Sequence, residues 1–444
     1  MATASAWALF NSCLSIKVGD FVDNKLFRRP RDLLLIFEIL AIALVFYTYE
    51  GHLDRQLLFL TGGLIFVIYI SNFILGKITT GDNYIFLIVS LLLTIGVITI
   101  FRIQPETGIR QLQWAFIGVL FFYATYFVVR VVPHVERYGS LALLISVLLF
   151  LSTIVFGNTV RGARNWLSIG SSIVFQPTEF IKILLMFILG SFYCNYEKYK
   201  KYPYTSYIIM AIIYFFVLLL FIQRDLGTAV LFMAMYIAIQ FVYDPDIKAF
   251  FVNLALLALG SVVGYFLFGH VRTRIDIWLD PWSYVYGAGR QIVQALFAIA
   301  EGGFFGAGIG FGHPELIPVA VSDFIFPVIC EEMGLFAGFA IILLYILLIY
   351  RGIKIALEQE YKFYRMLAIS ATVLISVQAF LNIGGVTKLI PMTGITLPFM
   401  SYGGSSILSS FIALGILQVA SEDLSWKYER EIMKGEVNDE AFGK

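Results

Sequence analysis

The chain has 444 residues, of which 59% are apolar and 14% charged, with a mean hydropathy of +0.85 and a formal net charge of +1. A soluble globular domain carries nearer a quarter charged residues and lacks long apolar runs, so that class is excluded. The composition is that of a polytopic membrane protein.

Apolar side chains recur at helical spacing over residues 4–27, with Trp7, Phe10, Leu14, Val18, Phe21 and Val22 on one side. This predicts an interfacial amphipathic helix. Its basic cluster follows the apolar stretch, which is the wrong order for a cleavable signal. About twelve apolar runs then start near residues 33, 57, 84, 112, 140, 178, 205, 226, 247, 325, 363 and 405. A helix crosses ~30 Å of hydrocarbon in about 20 residues, and backbone groups in lipid must pair within their own segment. The predicted fold class is therefore all-α. Lys and Arg fall twenty to ten in favour of the connections that place both termini inside, with Lys182 within a span. Cys13, Cys194 and Cys330 show no metal-ligand spacing and are read as small packed hydrophobes.

Most connections are short, but residues 157–177, 270–323 and 385–404 form three long ones on the predicted outer face. Their Trp, Gly, Pro and apolar content predicts ordered loops that pack together over the helix ends. The first carries Arg161, Arg164 and Trp166, then Gln176-Pro177-Thr178-Glu179 and Lys182. Guanidinium forks suit phosphate, and an indole offers a face to a sugar ring. Headgroup anchoring explains the same residue types, and Lys182 can pair with Glu179 one turn away. Gln223-Arg224-Asp225 makes a tight turn in which Asp225 is placed to cap the next helix. The second loop carries Arg272, Arg274 and Trp278, followed by a glycine-rich run from Gly302 to Gly312 that lacks the Gly-Lys-Ser/Thr of a P-loop.

Asp323 ends that loop where an apolar helix begins, so capping and acid–base chemistry are both open to it. Glu331 and Glu332 lie about two turns deeper, where carboxylates are costly.

Taken together, Arg161-Gly-Ala-Arg164-Asn-Trp166, Gln176-Pro-Thr-Glu179-Phe-Ile-Lys182, Gln223-Arg-Asp225-Leu-Gly-Thr228, Gly302-Gly-Phe-Phe-Gly306, Asp323-Phe-Ile-Phe with Glu331-Glu332-Met-Gly334, and Ser401-Tyr-Gly-Gly-Ser405-Ser406 resemble the ordered motifs of the SEDS proteins. These are the shape, elongation, division and sporulation proteins that include FtsW and RodA. The resemblance implies a ten-helix core over residues 84–420, related to the GT-C glycosyltransferases, with a large extracellular loop at 270–323. The remaining divisions are an arm at 1–32, two additional helices within 33–83, and a cytoplasmic tail at 421–444.

It further implies a peptidoglycan glycosyltransferase of the plasma membrane that polymerises lipid II on the outer face beside a class B penicillin-binding protein, with no nucleic-acid partner. In that pattern Asp323 is the catalytic base, Arg164 and Lys182 steady the pyrophosphate, and Arg161, Trp166, Gln223, Asp225, Glu331, Glu332, Ser401 and Ser405 shape the substrate site. A divalent cation (Mg or Mn) bridging Asp323 and the pyrophosphate is chemically reasonable, although no ligand cluster for it can be read. Two departures stand out. The family usually has proline at the position of Arg224, and commonly Pro-Glu-x-His-Thr-Asp where this chain has Pro318-Val-Ala-Val321-Ser322-Asp323. A flippase for lipid-linked sugars is the alternative, and a noncatalytic scaffold is a third reading.

Overall fold

The computed structural model describes residues 30–48, 55–132, 134–160, 163–169, 173–199 and 204–423. The amphipathic helix expected at 4–27, Arg161 and the tail beyond 423 lie outside the described residues. The chain order is α1 (Pro30–Thr48), α2 (Arg55–Ile78), α3 (Tyr84–Ile103), α4 (Pro105–Val131), α5 (Gly139–Phe156), strands β1 (Asn158–Val160), β2 (Ala163–Ile169) and β3 (Ile173–Phe175), then α6 (Pro177–Cys194) and α7 (Thr205–Ile222). It continues through α8 (Leu226–Tyr243), α9 (Ile247–Leu267), α10 (Gly269–Leu279), α11 (Arg290–Gly302), α12 (Ile325–Glu358), α13 (Lys362–Val386) and α14 (Gly404–Ala420).

Each of the twelve expected starts falls inside one of these helices. Among the described residues, ten helices are long and apolar enough to cross a membrane, rather than twelve. The other two are α1 and α14. Seventeen residues of α14 rise only about 25 Å. The all-α expectation needs one amendment, because the first long loop is a three-stranded antiparallel sheet in the order β1-β2-β3. Thr159 pairs with Arg164 and Leu167 with Phe175, and a bulge at Asn158/Thr159 lets Asn158 oppose Trp166.

Polar contacts dock α1 and α2 onto the bundle. Thr94 Oγ1 donates to Glu38 at 3.4 Å, Asn72 Nδ2 to Ser90 Oγ at 3.0 Å, and Tyr123 Oη to the Ser71 carbonyl at 2.6 Å. In hydrocarbon no hydrophobic effect drives helices together, so such bonds and close packing hold them, at roughly 0.6–2 kcal/mol each. At the end of the bundle that holds residues 79–82, the buried Glu422 carboxylate accepts from Thr79 Oγ1 and Tyr126 Oη, both at 2.6 Å, and pairs with Arg130 Nε at 3.1 Å. Gln359 Nε2 donates to the Ala420 carbonyl beside it at 2.6 Å.

The most unusual element is α12, which breaks at Gly334 (φ 80°, ψ 173°). A break strands carbonyls and amides that would otherwise bond along the helix, and buried in apolar surroundings they need partners. The glycine-rich loop supplies them. Ala307 N donates to the Glu331 carbonyl (2.9 Å) and Gly308 N to that of Glu332 (3.0 Å), while Leu335 N and Phe336 N donate to the carbonyls of Gly303 (2.9 Å) and Phe304 (3.1 Å). The glycines permit this backbone-to-backbone approach: a Cβ on Gly306 would lie 2.2 Å from the Glu332 carbonyl oxygen.

Candidate functional site

The three long connections meet at one end of the bundle, and Asp323 sits where they join. The N-cap position of α12 is Phe324, one residue beyond Asp323. The backbone around Asp323 is clamped. The Val321 carbonyl accepts from Tyr402 N (2.8 Å), that of Ser322 from Ser401 Oγ, and that of Asp323 from Asn382 Nδ2 (2.9 Å). Ser401 is itself fixed, accepting at Oγ from Leu397 N (2.9 Å) and at its carbonyl from Gln111 Nε2 (2.9 Å). A short acidic loop at a helix start is thereby made rigid, which is what a positioned proton acceptor requires.

The carboxylate has a cationic neighbour. A Cβ built on Gly394 (φ 77°) would lie 3.8 Å from Nη2 of Arg274 and 4.0 Å from Oδ2 of Asp323, so guanidinium and carboxylate converge over this glycine. Arg274 Nη1 donates to the carbonyls of Met392 (3.0 Å) and Thr393 (2.6 Å), and Trp278 Nε1, one turn on, donates to that of Lys388 (3.1 Å). Burial draws the Arg274 pKa below the usual guanidinium value, and the charges of Asp225 and Asp323 oppose that shift. His270, Arg274 and Trp278 recur every fourth residue along α10, a spacing that puts them on one helical face.

Asp225 is the second organising carboxylate. It caps α8 by accepting from Thr228 N at 3.1 Å, as its position predicted. Its other oxygen accepts from Asn165 Nδ2 (2.8 Å), Gln176 Nε2 (3.1 Å) and Thr178 Oγ1 (3.4 Å), which ties the sheet and the start of α6 to the α7–α8 turn. At the start of α8, a Cβ on Gly227 would be 2.6 Å from Ile395, so this helix end abuts the same loop that carries Gly394. We expect Asp225→Ala to lower stability by about 2 kcal/mol, the loss of an N-cap together with a buried charge-accepting hub. Asp225→Asn, which keeps the cap, should lose about half as much. Thermal denaturation in detergent compares them.

The remaining predicted site residues are placed as follows. Lys182 Nζ is buried in a 2.6 Å ion pair with Glu179, whose Oε2 also accepts from Ser409 Oγ at 2.6 Å. Arg164 lays Nε on the Gly157 carbonyl (3.0 Å) and Nη2 on that of Val155 (3.4 Å), at the end of α5. Trp166 is half-buried on β2. Gln223 Nε2 donates to Thr153 Oγ1 (2.9 Å), its carbonyl accepts from Arg164 N (3.0 Å), and Ser405 Oγ accepts from Gln176 N (3.1 Å). Glu331 accepts from His313 N at 2.7 Å, and Glu332 pairs with Arg102. These two glutamates therefore anchor the helix break.

Sequence reasoning passed over Arg274, Asn382, Asn165 and Gln111 as site residues. The His270-Arg274-Trp278 spacing was the available signal for Arg274. The other three are single amides without a local pattern. Among the described residues, no group of three His, Cys, Asp or Glu side chains is arranged to hold a metal ion.

The family model described as "Cell cycle protein", covering FtsW, RodA and SpoVE, matches residues 82–425. Peptidoglycan glycosyltransferase RodA of Mycobacterium leprae is 33% identical over 359 residues, covering 76% of this chain and 77% of the relative. Stage V sporulation protein E of Bacillus subtilis is 35% identical over 360 residues, covering 77% and 97%. Among solved structures, a chain from a peptidoglycan synthase complex that coordinates polymerization and crosslinking superposes with a TM-score of 0.64 at 24% identity, covering 79% of this chain and 99% of that one. RodA of Thermus thermophilus gives 0.56 at 23% identity, covering 78% and 98%. At such identities these structures speak for the fold.

Proposed function

Because the chain belongs to the FtsW, RodA and SpoVE family of cell cycle proteins, we propose that it is a multi-pass membrane peptidoglycan glycosyltransferase that polymerises lipid II. Relatives bearing that enzyme name support the reaction class. The observation that carries the site is Asp323, whose own carbonyl and those of Ser322 and Val321 before it are each clamped from the 382–402 segment. The acceptor sugar's hydroxyl oxygen attacks the anomeric carbon of the donor and its proton passes to Asp323. The bond from that carbon to the lipid diphosphate breaks, and its electron pair leaves with the diphosphate. The half-buried Trp166 offers a face to a sugar ring, while Asp225, Gln223, Ser401 and Ser405 hold the walls.

With both termini cytoplasmic, this end of the bundle faces outward, where a class B penicillin-binding protein would crosslink the product. Among the described residues no group of three His, Cys, Asp or Glu side chains gathers at Asp323, so a Mg or Mn ion there would be held by Asp323 together with the diphosphate oxygens of the substrate, and no step is routed through one. The test is purified protein, alone and with its class B partner, incubated with lipid II and read by glycan chain length. Strands longer than the donor disaccharide are expected. Translocation of lipid II across vesicles with no polymer formed would replace this reading with the flippase.

A further inference from the structure

We propose that Arg224, His270 and Arg274 form an anion subsite that receives the diphosphate of the lipid-linked sugar beside Asp323, an assignment that rests on the glycosyltransferase reading. Of the cations expected to do this, Lys182 is buried against Glu179 and Arg164 donates through Nε and Nη2 to the carbonyls that end α5, whereas Arg274 bonds two carbonyls through Nη1 alone and keeps Nη2 near Asp323.

The end of α7 explains why Arg224 is available. Asp225 N donates to the Leu220 carbonyl (2.9 Å) and Arg224 N to that of Phe221 (3.1 Å), a helix-ending closure that puts Arg224 at φ 62°. That position normally takes glycine, because a Cβ is strained there. A non-glycine residue kept in a strained conformation points toward a use for its side chain. The end of α13 repeats the device. Leu389 N donates to the Gly384 carbonyl (2.8 Å) and puts Lys388 at φ 62°, but Lys388 Nζ donates to the Leu279 carbonyl (3.4 Å). Arg224 differs: it is exposed, and among the described residues its guanidinium makes no hydrogen bond or ion pair.

Ring contacts bring this turn to the start of α10. Phe221 packs on Phe268 at 5.3 Å between centroids, and Phe268 on His270 at 5.7 Å. His270 Nε2 is a buried atom with no hydrogen-bond partner. Arg274 follows one turn later, with Nη2 beside Asp323. Burial, then the positive charges of Arg224 and Arg274, push the His270 pKa down. Asp225 and Asp323 face Arg274, while His270 lies between the positive charges of Arg224 and Arg274, a field that favours an anion there. Planar guanidinium forks and a ring N–H match the oxygens of a diphosphate, whose negative charge grows as the sugar–oxygen bond breaks.

The test uses the full chain in phosphatidylcholine nanodiscs, with inorganic pyrophosphate as the probe and tryptophan fluorescence as the readout. Arg224→Gly suits the backbone, so its thermal midpoint should match or exceed that of the wild type. It should weaken pyrophosphate binding roughly tenfold and lower kcat/KM for lipid II by a similar factor. Arg224→Lys should lose roughly threefold, keeping charge without the fork, and His270→Ala should also weaken pyrophosphate binding. Pyrophosphate affinity within about twofold of wild type in a folded Arg224→Gly protein would overturn the subsite. So would loss of pyrophosphate binding in phosphatidylglycerol discs with lipid II use unchanged, which marks a phospholipid headgroup site. A wild type that binds pyrophosphate in an Arg224-dependent way yet forms no polymer would sink the enzyme reading and leave the anion site standing.

Discussion

An Asp323→Asn protein is expected to fold like the wild type and to polymerise lipid II at least about 100-fold more slowly, the usual scale for losing a general base. The two halves of this expectation have separate physical grounds. The clamps from Tyr402, Ser401 and Asn382 grip backbone carbonyls, so exchanging a carboxylate oxygen for an amide leaves them intact. The amide cannot accept the hydroxyl proton, and it removes the negative charge that faces Arg274. Thermal midpoint and glycan length measured on the same preparation separate folding from chemistry. Wild-type polymerisation by a folded Asp323→Asn protein would exclude Asp323 as the base.

Gly334→Ala should have the largest effect on stability, about 3 kcal/mol or more, seen as a loss of monodisperse protein on size exclusion and a depressed thermal midpoint. Two costs add. The residue holds φ 80°, and a Cβ would stand 2.3 Å from the Phe304 carbonyl oxygen and 2.5 Å from Gly306 N. Neither neighbour can yield cheaply, since the Phe304 carbonyl accepts from Phe336 N of the broken helix and Gly306 N donates to the Gly302 carbonyl that closes the loop. Gly76→Ala is the matched control. It lies within α2 with nothing inside 4 Å of its Cβ position, so the same substitution should be neutral or stabilising by about 0.5–1 kcal/mol. If Gly334→Ala behaved like Gly76→Ala, the insertion of the glycine-rich loop into α12 would be incorrect.

The helices were legible because lipid imposes a single rule on every span, and each long apolar run obeys it. The three-stranded sheet was not. Strands of three residues, such as Asn158–Val160 and Ile173–Phe175, are too short for alternation to register against background. The break at Gly334 was hidden for another reason: apolar residues resume directly after Glu331-Glu332-Met-Gly334, so the span reads as one helix, and only the loop that fills the break gives Gly302–Gly312 its meaning. The same contacts recast Glu331 and Glu332. Costly carboxylates in a span suggested chemistry, yet one takes an amide from the loop and the other an arginine from α3. For Asp323 the residue was visible and its setting was not, since Asn382 reaches its carbonyl from 59 positions away and Ser401 reaches that of Ser322 from 79.

The Glu422 contact has a consequence for biosynthesis. Arg130 and Tyr126 enter the membrane early, but the carboxylate that pairs with them emerges on the order of 300 residues later. At ordinary translation rates that leaves a guanidinium waiting for on the order of tens of seconds. Residue 422 thus closes a contact opened at residues 126–130, and a nascent protein halted before Glu422 lacks the carboxylate that pairs with Arg130.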